Sequence, residues 1–341
     1  MVAPRLVTRT IGLDAPQDWA RALDGIAVAP AHSLGYNAAM ALASGQELRL
    51  FVAEGEGARA ICPIAERRFS GSRDLVTPYG FGGFVGRGRL DDLPRAWRSF
   101  AEAEGFTSGY LGLHPLLAPR DLDWGADAVS GALVYLIDLA SDREALIGAM
   151  SSRRRTSLRR WLAEVTVISE RAALTEAFVA LYPLSMARLG AASVYQFGEA
   201  ALRRLSAEDS IVLLGALSDS GEIEAVAMTA LASGCAEYLF FASVEGCRDH
   251  SAGLIWLTMV AAKKAGCSWF NLGGGIRPND GVAEFKRRFG ATPRETLALK
   301  QIYRSADFAR LCRASGFSQA IADGGRGGYF PPYYAAATRA S

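Results

Sequence analysis

The chain has 341 residues, half of them hydrophobic, and a formal net charge of +2 at pH 7. This length exceeds the usual size of a single domain and favours two domains. The small net charge argues against DNA binding and against wholesale attachment to an anionic surface, so charge has to be interpreted locally.

Cysteine usage and apolar segments bear on location. The five cysteines are odd in number and lack paired spacing, which argues against a disulfide framework or a zinc knuckle. The first 20 residues lack the apolar core of a signal peptide, and the longest apolar helical run, residues 254–262, is too short to span a bilayer. We therefore expect a soluble, cytoplasmic protein. The three histidines share no ligand spacing, which argues against a metal site.

Residues 1–140 predict an N-terminal domain of mixed strand and helix order. Residues 48–53 and 58–65 are typical of two strands joined by the turn EGEG, which indicates a hairpin. A loop rich in glycine and aromatic residues follows at 78–84. The other elements expected in this domain are a helix near 93–104 and strands at 108–113 and 132–138.

Residues 141–165 predict a basic helical connector with a buried stripe of Leu158, Trp161 and Leu162. Its positive charge comes from Arg153, Arg154, Arg155, Arg159 and Arg160. A helix face of arginines fits contact with the phosphates of a tRNA or nucleotide, and it fits equally a solvated or acid-paired surface.

Residues 166–303 predict a C-terminal domain, and residues 304–341 a tail that returns to the first domain. The pattern predicts helices at 174–187, 199–205 and 253–265, and strands at 211–217, 223–231, 236–244, 269–272 and 297–303. This order of antiparallel meander, loop, helix and strand resembles that of the GNAT acyltransferases.

Two segments near the end of this domain resemble the Fem family, the tandem-GNAT transferases that add amino acids from aminoacyl-tRNA to peptidoglycan precursors. These segments are NLGGG at 271–275 and EFKRRFG at 284–290. Weaker similarities are LYPLSMAR at 181–188, YQF at 195–197, AEYLFFAS at 236–243, PYGFGG at 78–83 and LHPLL at 113–117. The resemblance covers residues 30–303. It implies a mixed α/β fold of two GNAT-like domains, each a mostly antiparallel mixed sheet flanked by helices.

The strongest candidate for chemistry is the glycine loop together with Lys286. A glycine turn at a strand end lets backbone N–H groups approach a substrate, and Phe285 and Phe289 can partly desolvate the lysine. Such a cation can stabilise the oxyanion of acyl transfer or neutralise a donor phosphate, and it can also be a solvated lysine. Asp280 and Glu284 can move a proton or, alternatively, cap the short helix.

The resemblance implies roles for particular residues. Catalytic roles fall on Lys286, Phe285 and, by a less direct match, Tyr238. Substrate binding is assigned to Arg188, Tyr195, Gly273, Gly274 and Gly275, and Tyr79 is a further candidate that can equally be a core residue.

The loop before the helix at 253–265 bears on the donor. GNAT enzymes hold the pyrophosphate of coenzyme A at a helix N-terminus, where free N–H groups and the helix dipole favour anions. Here RDHSAG at 248–253 has Ser251 where a glycine is expected, and Asp249 adds negative charge. An ordinary helix start capped by Ser251 is the alternative, with His250 as a candidate acid-base group. The candidate donor-phosphate residues are Arg248, Ser251, Gly253, Arg154 and Arg155.

These observations predict an acyltransferase that moves an aminoacyl group from aminoacyl-tRNA, or another acyl group, to an amine of a small polar cell-envelope or glycan precursor. No tightly bound cofactor or metal is expected. The alternatives are an acetyl-CoA-dependent GNAT N-acetyltransferase acting on a sugar or small metabolite, and a non-catalytic ligand-binding GNAT scaffold. The degenerate phosphate loop and the arginine cluster favour tRNA, whereas the absence of the long helical hairpin of some Fem enzymes argues against it.

Overall fold

The computed structural model of the chain describes residues 5–247, 249–275, 280–317 and 328–337. Its strands are β1 (Val7–Gly12), β2 (Glu47–Gly55), β3 (Ala58–Phe69), β4 (Ser72–Val76), β5 (Val85–Arg87), β6 (Ser108–Leu113), β7 (Ala128–Asp138), β8 (Val167–Ile168), β9 (Ile211–Leu217), β10 (Ile223–Leu231), β11 (Cys235–Ser243), β12 (Trp269–Gly274) and β13 (Thr292–Ile302).

The helices alternate with these strands along the chain. They are α1 (Pro16–Leu23), α2 (Leu34–Ser44), α3 (Leu93–Ala103), α4 (Arg143–Ala149), α5 (Ser152–Glu164), α6 (Arg171–Leu189), α7 (Glu199–Ser206), α8 (His250–Lys264), α9 (Gly281–Arg287), α10 (Ser305–Ala314) and α11 (Tyr334–Ala337). Across the described part of the chain, every helix is too short or too polar to cross a bilayer.

The chain forms two compact units. Unit 1 comprises Met1–Asn37, Ser44–Gly131 and Glu295–Ser341, and unit 2 comprises Ala38–Ala43 and Ala132–Arg294. The chain therefore changes unit inside α2, β7 and β13, and the domain boundaries predicted at 140, 165 and 303 stay predictions.

Unit 1 contains a mixed sheet with the strand order β1-β2-β3-β4-β6-β13, and β5 pairs with β3. The predicted hairpin of β2 and β3 is confirmed, with Gly55 opposite Ala58 at its turn. Only the β4–β6 pair is parallel among these pairs. The core on one face of this sheet is aromatic, with Phe51 stacked edge-on against Phe84 and Trp97.

The tail belongs to unit 1 where the structure describes it. Tyr333 is fully buried, and its hydroxyl donates to Asp74 Oδ1 over 2.7 Å. The Arg67 guanidinium lies 4.4 Å from the centre of the Tyr334 ring. These contacts fix residues 328–337 on the sheet of this unit.

Unit 2 contains a sheet with the strand order β7-β12-β11-β10-β9-β8. The β11–β12 pair is parallel, and the other pairs are antiparallel. Helix α8 packs on one face of this sheet, where Ile255, Trp256 and Met259 meet Phe270 and Leu272. Both units thus have a mostly antiparallel mixed sheet with helices, which confirms the predicted fold class.

The predicted helical connector is two helices rather than one. Helix α4 ends at Ala149, and α5 begins at Ser152, because Ser151 caps the second helix by accepting the Arg154 N–H at its Oγ. The predicted buried stripe is partly wrong, since Leu158 and Trp161 are buried but Leu162 is 37% exposed. The break at Ser151 rotates α5 so that only part of its apolar face meets the core.

Candidate functional site

Strands β11 and β12 of unit 2 pair over only a short distance. Their parallel register joins Cys235 to Trp269, Ala236 to Phe270 and Glu237 to Asn271. Strand β11 continues to Ser243 and β12 to Gly274, but their register contains no pair beyond Glu237 and Asn271. The paired segment of the two strands therefore ends at Glu237 and Asn271.

The end of β12 is shaped by glycine. Gly273 has φ +72°, a conformation that side chains disfavour, and its N–H donates to Asn271 Oδ1 over 2.8 Å. A Cβ added to Gly274 would lie 3.0 Å from the Leu133 carbonyl oxygen. The glycines thus allow an irregularity in β12 where its register with β7 shifts between Asn271 and Gly274, while Gly274 stays paired with Val134.

Lys286 bridges α9 back to this strand end. Asp280 caps α9 by accepting the Ala283 N–H at 2.7 Å, which places Lys286 in the last turn of the helix. Lys286 Nζ donates to the Gly274 carbonyl over 2.5 Å, and only 8% of the residue is exposed. Burial lowers the pKa of Lys286 from 10.5 to about 8, against the opposing charge of Asp280. The strand end therefore carries a buried amine that titrates near neutral pH.

Two phenylalanine rings and an arginine lie beside Lys286. The rings of Phe285 and Phe289 meet edge to face with their centres 5.3 Å apart. The Arg154 guanidinium lies 4.6 Å and 4.8 Å from the two ring centres, within cation–π range. Burial and the charge of Arg288 lower the pKa of Arg154, while Asp249 raises it. The structure thus brings Arg154 onto the rings of Phe285 and Phe289.

Arg155 lies at the corner between α4 and α5. Its Nη1 donates to the Gly148 carbonyl over 3.1 Å and also to the Met150 carbonyl. The adjacent Ser151 N–H donates to the Arg288 carbonyl over 3.1 Å, which joins this corner to the end of α9. Arg155 therefore fixes the backbone of the corner, and its predicted role as a phosphate ligand stays a prediction.

Tyr238 is the first residue of β11 after the segment that pairs with β12. It is partly exposed and packs against the same hydrophobic cluster as Phe285, and burial raises its pKa. A phenol of this kind stays protonated at neutral pH. It is therefore suited to donating a hydrogen bond rather than to accepting a proton.

Arg188 and Tyr195 lie at the other end of β11. Arg188 Nη2 donates to Ser185 Oγ over 3.1 Å and to the carbonyl of Ser243, the last residue of β11. Tyr195 is 45% exposed, and its carbonyl accepts the Tyr182 hydroxyl over 2.6 Å. Arg188 thus belongs to the region where α8 starts rather than to the end of β12.

The start of α8 differs from the sequence prediction. The helix begins at His250 with Asp249 as its N-cap, so Ser251 is inside the helix and does not cap it. Gly253 lies in the first turn, under the Trp161 ring. Arg248 falls outside the described residues.

A hydrogen-bonded chain of three side chains crosses this helix start. Trp161 Nε1 donates to His250 Nδ1 over 2.9 Å, and His250 Nε2 lies 2.9 Å from Glu224 Oε2. Because an indole nitrogen can only donate, Nδ1 must be the acceptor, and the neutral ring carries its proton on Nε2. That proton is donated to Glu224.

The same histidine lies in a group that has the spacing of metal ligands. Single ligand atoms of Glu224, Cys247 and His250 lie within 4.8 Å of one another. A metal on Nε2 requires the other ring nitrogen to be protonated and to donate, but Trp161 presents a donor there. These residues therefore do not fit a metal as they are arranged.

Unit 1 contains a cleft of about 440 Å³. It is lined by Gly45, Gln46, Glu47, Glu66, Arg67, Arg68 and Tyr334. Glu66 is buried and forms ion pairs with Arg68 at 2.6 Å and Arg73 at 3.2 Å. Tyr79 also belongs to unit 1, partly exposed in the loop before β5, and its role as a substrate ligand stays a prediction.

Sequence reasoning missed three parts of this site. It took Trp161 only as a core residue, and it did not single out Glu224 or Asn271. Asn271 is 1% exposed, and its Nδ2 has no hydrogen-bond acceptor among the described residues. The one local sign of Asn271 in the sequence is its position as a polar residue shortly before a run of glycines at the end of a strand.

Comparison with known proteins bears on the fold. Residues 150–287 match the family model of the acetyltransferase (GNAT) domain. No curated protein matches the chain significantly. The matched residues include β11, β12, α8 and α9, which carry the site described above.

Several solved structures share the architecture of the whole chain. FemX aligns with a TM-score of 0.65 and 13% identity, over 89% of this chain and 99% of FemX. L-PGS from Bacillus licheniformis aligns with a TM-score of 0.56 and 14% identity, over 95% of this chain and 96% of that protein. A conserved protein of unknown function from Bacteroides thetaiotaomicron VPI-5482 aligns with a TM-score of 0.58 and 10% identity, over 87% and 99% of the two chains. The chain therefore has a Fem-like fold of GNAT type, as its sequence predicted.

Proposed function

We propose that the chain transfers an acyl group to an amine at the point where the pairing of β11 and β12 ends. The observation that carries this proposal is the buried Lys286 amine, held on the Gly274 carbonyl at the end of β12. A buried charge destabilises a fold unless it is paired, and such groups concentrate at functional sites. The nearest acid that influences Lys286 is Asp280, which acts through its charge.

Acyl transfer needs positive charge where the acyl oxygen becomes negative. The amine nitrogen bonds to the acyl carbon, the bond to the leaving group breaks, and the amine gives up a proton. Lys286 uses one N–H on Gly274 and keeps others for the oxyanion. One well-placed hydrogen-bond donor in a desolvated site lowers the activation free energy by about 3 kcal/mol. We therefore assign the protonated Lys286 as the stabilising cation.

The arginines of α5 support an aminoacyl ester on a polyanionic carrier, such as aminoacyl-tRNA, as the donor. Arg153 and Arg159 are exposed, and their side chains have no ion pair or hydrogen bond with any described residue. Arg154 of the same helix reaches the rings beside Lys286. A cationic helix whose start is joined to the Arg288 carbonyl, two residues after Lys286, fits a carrier whose phosphates run away from the reacting ester.

The proposed acceptor is an amine on a small polar precursor of the cell envelope or of a glycan. Its support is the Fem-like fold, which is an analogy at the level of fold. Acetyl-CoA is the second candidate donor, and the match of residues 150–287 to a GNAT acetyltransferase model favours it.

Mass spectrometry of transfer products tests these proposals. Purified protein is incubated with an envelope-precursor mixture and either acetyl-CoA or a charged tRNA pool, and the acceptor mass is followed. We expect an aminoacyl mass increase with charged tRNA only. An acetyl increase would select the second donor. Product from neither donor, with the precursor still bound, would instead support a non-catalytic scaffold.

A further inference from the structure

Trp161 covers the first turn of α8. A Cβ built on Gly253 would lie only 2.1 to 2.4 Å from three carbon atoms of the Trp161 ring, closer than any real contact. Trp161 is 9% exposed and packs with Leu254 and with small residues of β9 and β10. The glycine in this turn is therefore required by the indole that lies on it.

The indole is fixed in place from two sides. Its N–H donates to His250, the first residue of α8, and His250 donates in turn to Glu224 at the start of β10. A ring held by packing and by a hydrogen bond of 2.9 Å cannot swing away without breaking both. The Trp161 ring is thus fixed over the first turn of α8 in the folded protein.

Charge at this helix start opposes an anion as well. The free N–H groups of a first helical turn attract phosphate because they combine hydrogen-bond donors with the positive end of the helix dipole. Here Asp249 is the N-cap, and its side chain makes no capping bond. The Glu224 carboxylate lies at the same place, on His250. Asp249 and Glu224 therefore place two acidic groups beside this turn, and the charge of Asp249 also acts on the Arg154 guanidinium.

We propose that Trp161 is a specificity-determining residue, which excludes acyl donors that carry a pyrophosphate from the start of α8. This inference deepens the proposed acyl transfer and rests on it. Donors whose phosphates lie elsewhere, as along the exposed arginines of α5, do not require this turn. The same fold can therefore act on an ester donor while coenzyme A is kept out by one side chain.

Calorimetric titration with coenzyme A and with inorganic pyrophosphate tests the role of Trp161. The proteins compared are the wild type, Trp161→Leu, Asp249→Asn and the double variant. We expect no binding by the wild type or by Asp249→Asn, in which the ring still covers Gly253. Trp161→Leu should bind, and the double variant should bind about tenfold more tightly, because volume and charge are both relieved.

Trp161→Phe is the matched control, since it keeps a ring over Gly253 but loses the donor to His250, and it should not bind. Circular dichroism verifies folding, and Trp161→Met replaces Trp161→Leu if the latter unfolds. Three results would overturn the proposal. The first is binding by the wild type, and the second is binding by Asp249→Asn that equals binding by the double variant. The third is no binding by the folded double variant. Because no transfer is measured, failure of the proposed function would leave this result unaffected.

Discussion

The described residues that follow the neighbouring strands β11 and β12 differ in how their polar groups are paired. After β12, glycines bend the strand and a buried lysine donates to its last carbonyl. After β11, the start of α8 is filled by Trp161, His250 and Glu224, which satisfy one another. The region after β12 holds the buried ammonium of Lys286, whose charge destabilises the fold. The start of α8 is instead packed with the side chains of Trp161, His250 and Glu224. From this contrast we propose chemistry at the end of β12 and exclusion at the start of α8.

This contrast shows why a loop's position in a fold does not determine its function. Both loops follow strands of the same parallel pair, and both lead into a helix. The two regions differ in whether another side chain of the protein pairs with the polar groups that follow the strand. The Trp161 side chain of α5 does so at α8, whereas Lys286 of α9 donates to the Gly274 carbonyl as a buried ammonium.

The largest expected effect concerns the buried charge of Lys286. Its pKa is 10.5 in the unfolded chain and about 8 when folded, a difference that corresponds to about 3 kcal/mol. Because the folded pKa is the lower one, this destabilisation is fully present below pH 8 and disappears as the pH rises from 8 to 10.5. Between pH 7 and 11, the unfolding free energy of the wild type should therefore rise by about 3 kcal/mol relative to that of Lys286→Met.

Urea unfolding at a series of pH values measures this difference. Lys264→Met, which changes an exposed lysine on α8, is the control and should follow the wild type. Parallel curves for the wild type and Lys286→Met would show that Lys286 is not a desolvated ammonium.

Gly253→Ala tests the cover of α8. The new methyl group would overlap the Trp161 ring, so we expect a loss of about 1 to 3 kcal/mol of stability, as for other overpacked cores. Gly148→Ala in α4 is the control, because its Cβ meets nothing within 4 Å and a helical alanine gains about 0.5 to 1 kcal/mol. Equal unfolding midpoints for the two variants would contradict the contact.

A smaller effect is expected at Asp280, which both caps α9 and raises the pKa of Lys286. Asp280→Ala should lose about 1 kcal/mol of stability. Asp280→Asn keeps a capping side chain, so it should lose less, yet the pKa of Lys286 should fall below about 8. The pH profile of transfer measures this change in the pKa of Lys286. An unchanged profile in Asp280→Asn would show that the charge of Asp280 does not act on Lys286.

Much of unit 2 could be predicted from the sequence, because the strands of its meander are short, mostly apolar runs that end at glycine turns. The Lys286 motif could also be recognised, since its residues are adjacent in the chain. The break at Ser151 was missed although its cap on the Arg154 N–H is local, and the contact of the Ser151 N–H with the distant Arg288 carbonyl was not visible in the sequence. The cover of Gly253 by Trp161 was missed for the same reason. Contacts between distant segments leave no local pattern.

Single-turnover transfer by Lys286→Met tests the central claim most directly. With the donor that the product screen identifies, removal of the ammonium should slow transfer by about 10² to 10³, the loss expected for one oxyanion donor. Lys264→Met should transfer at the wild-type rate, and circular dichroism should show that both variants are folded. A Lys286→Met rate within a few fold of the wild type would contradict the assignment of Lys286 as the cation that stabilises the transition state.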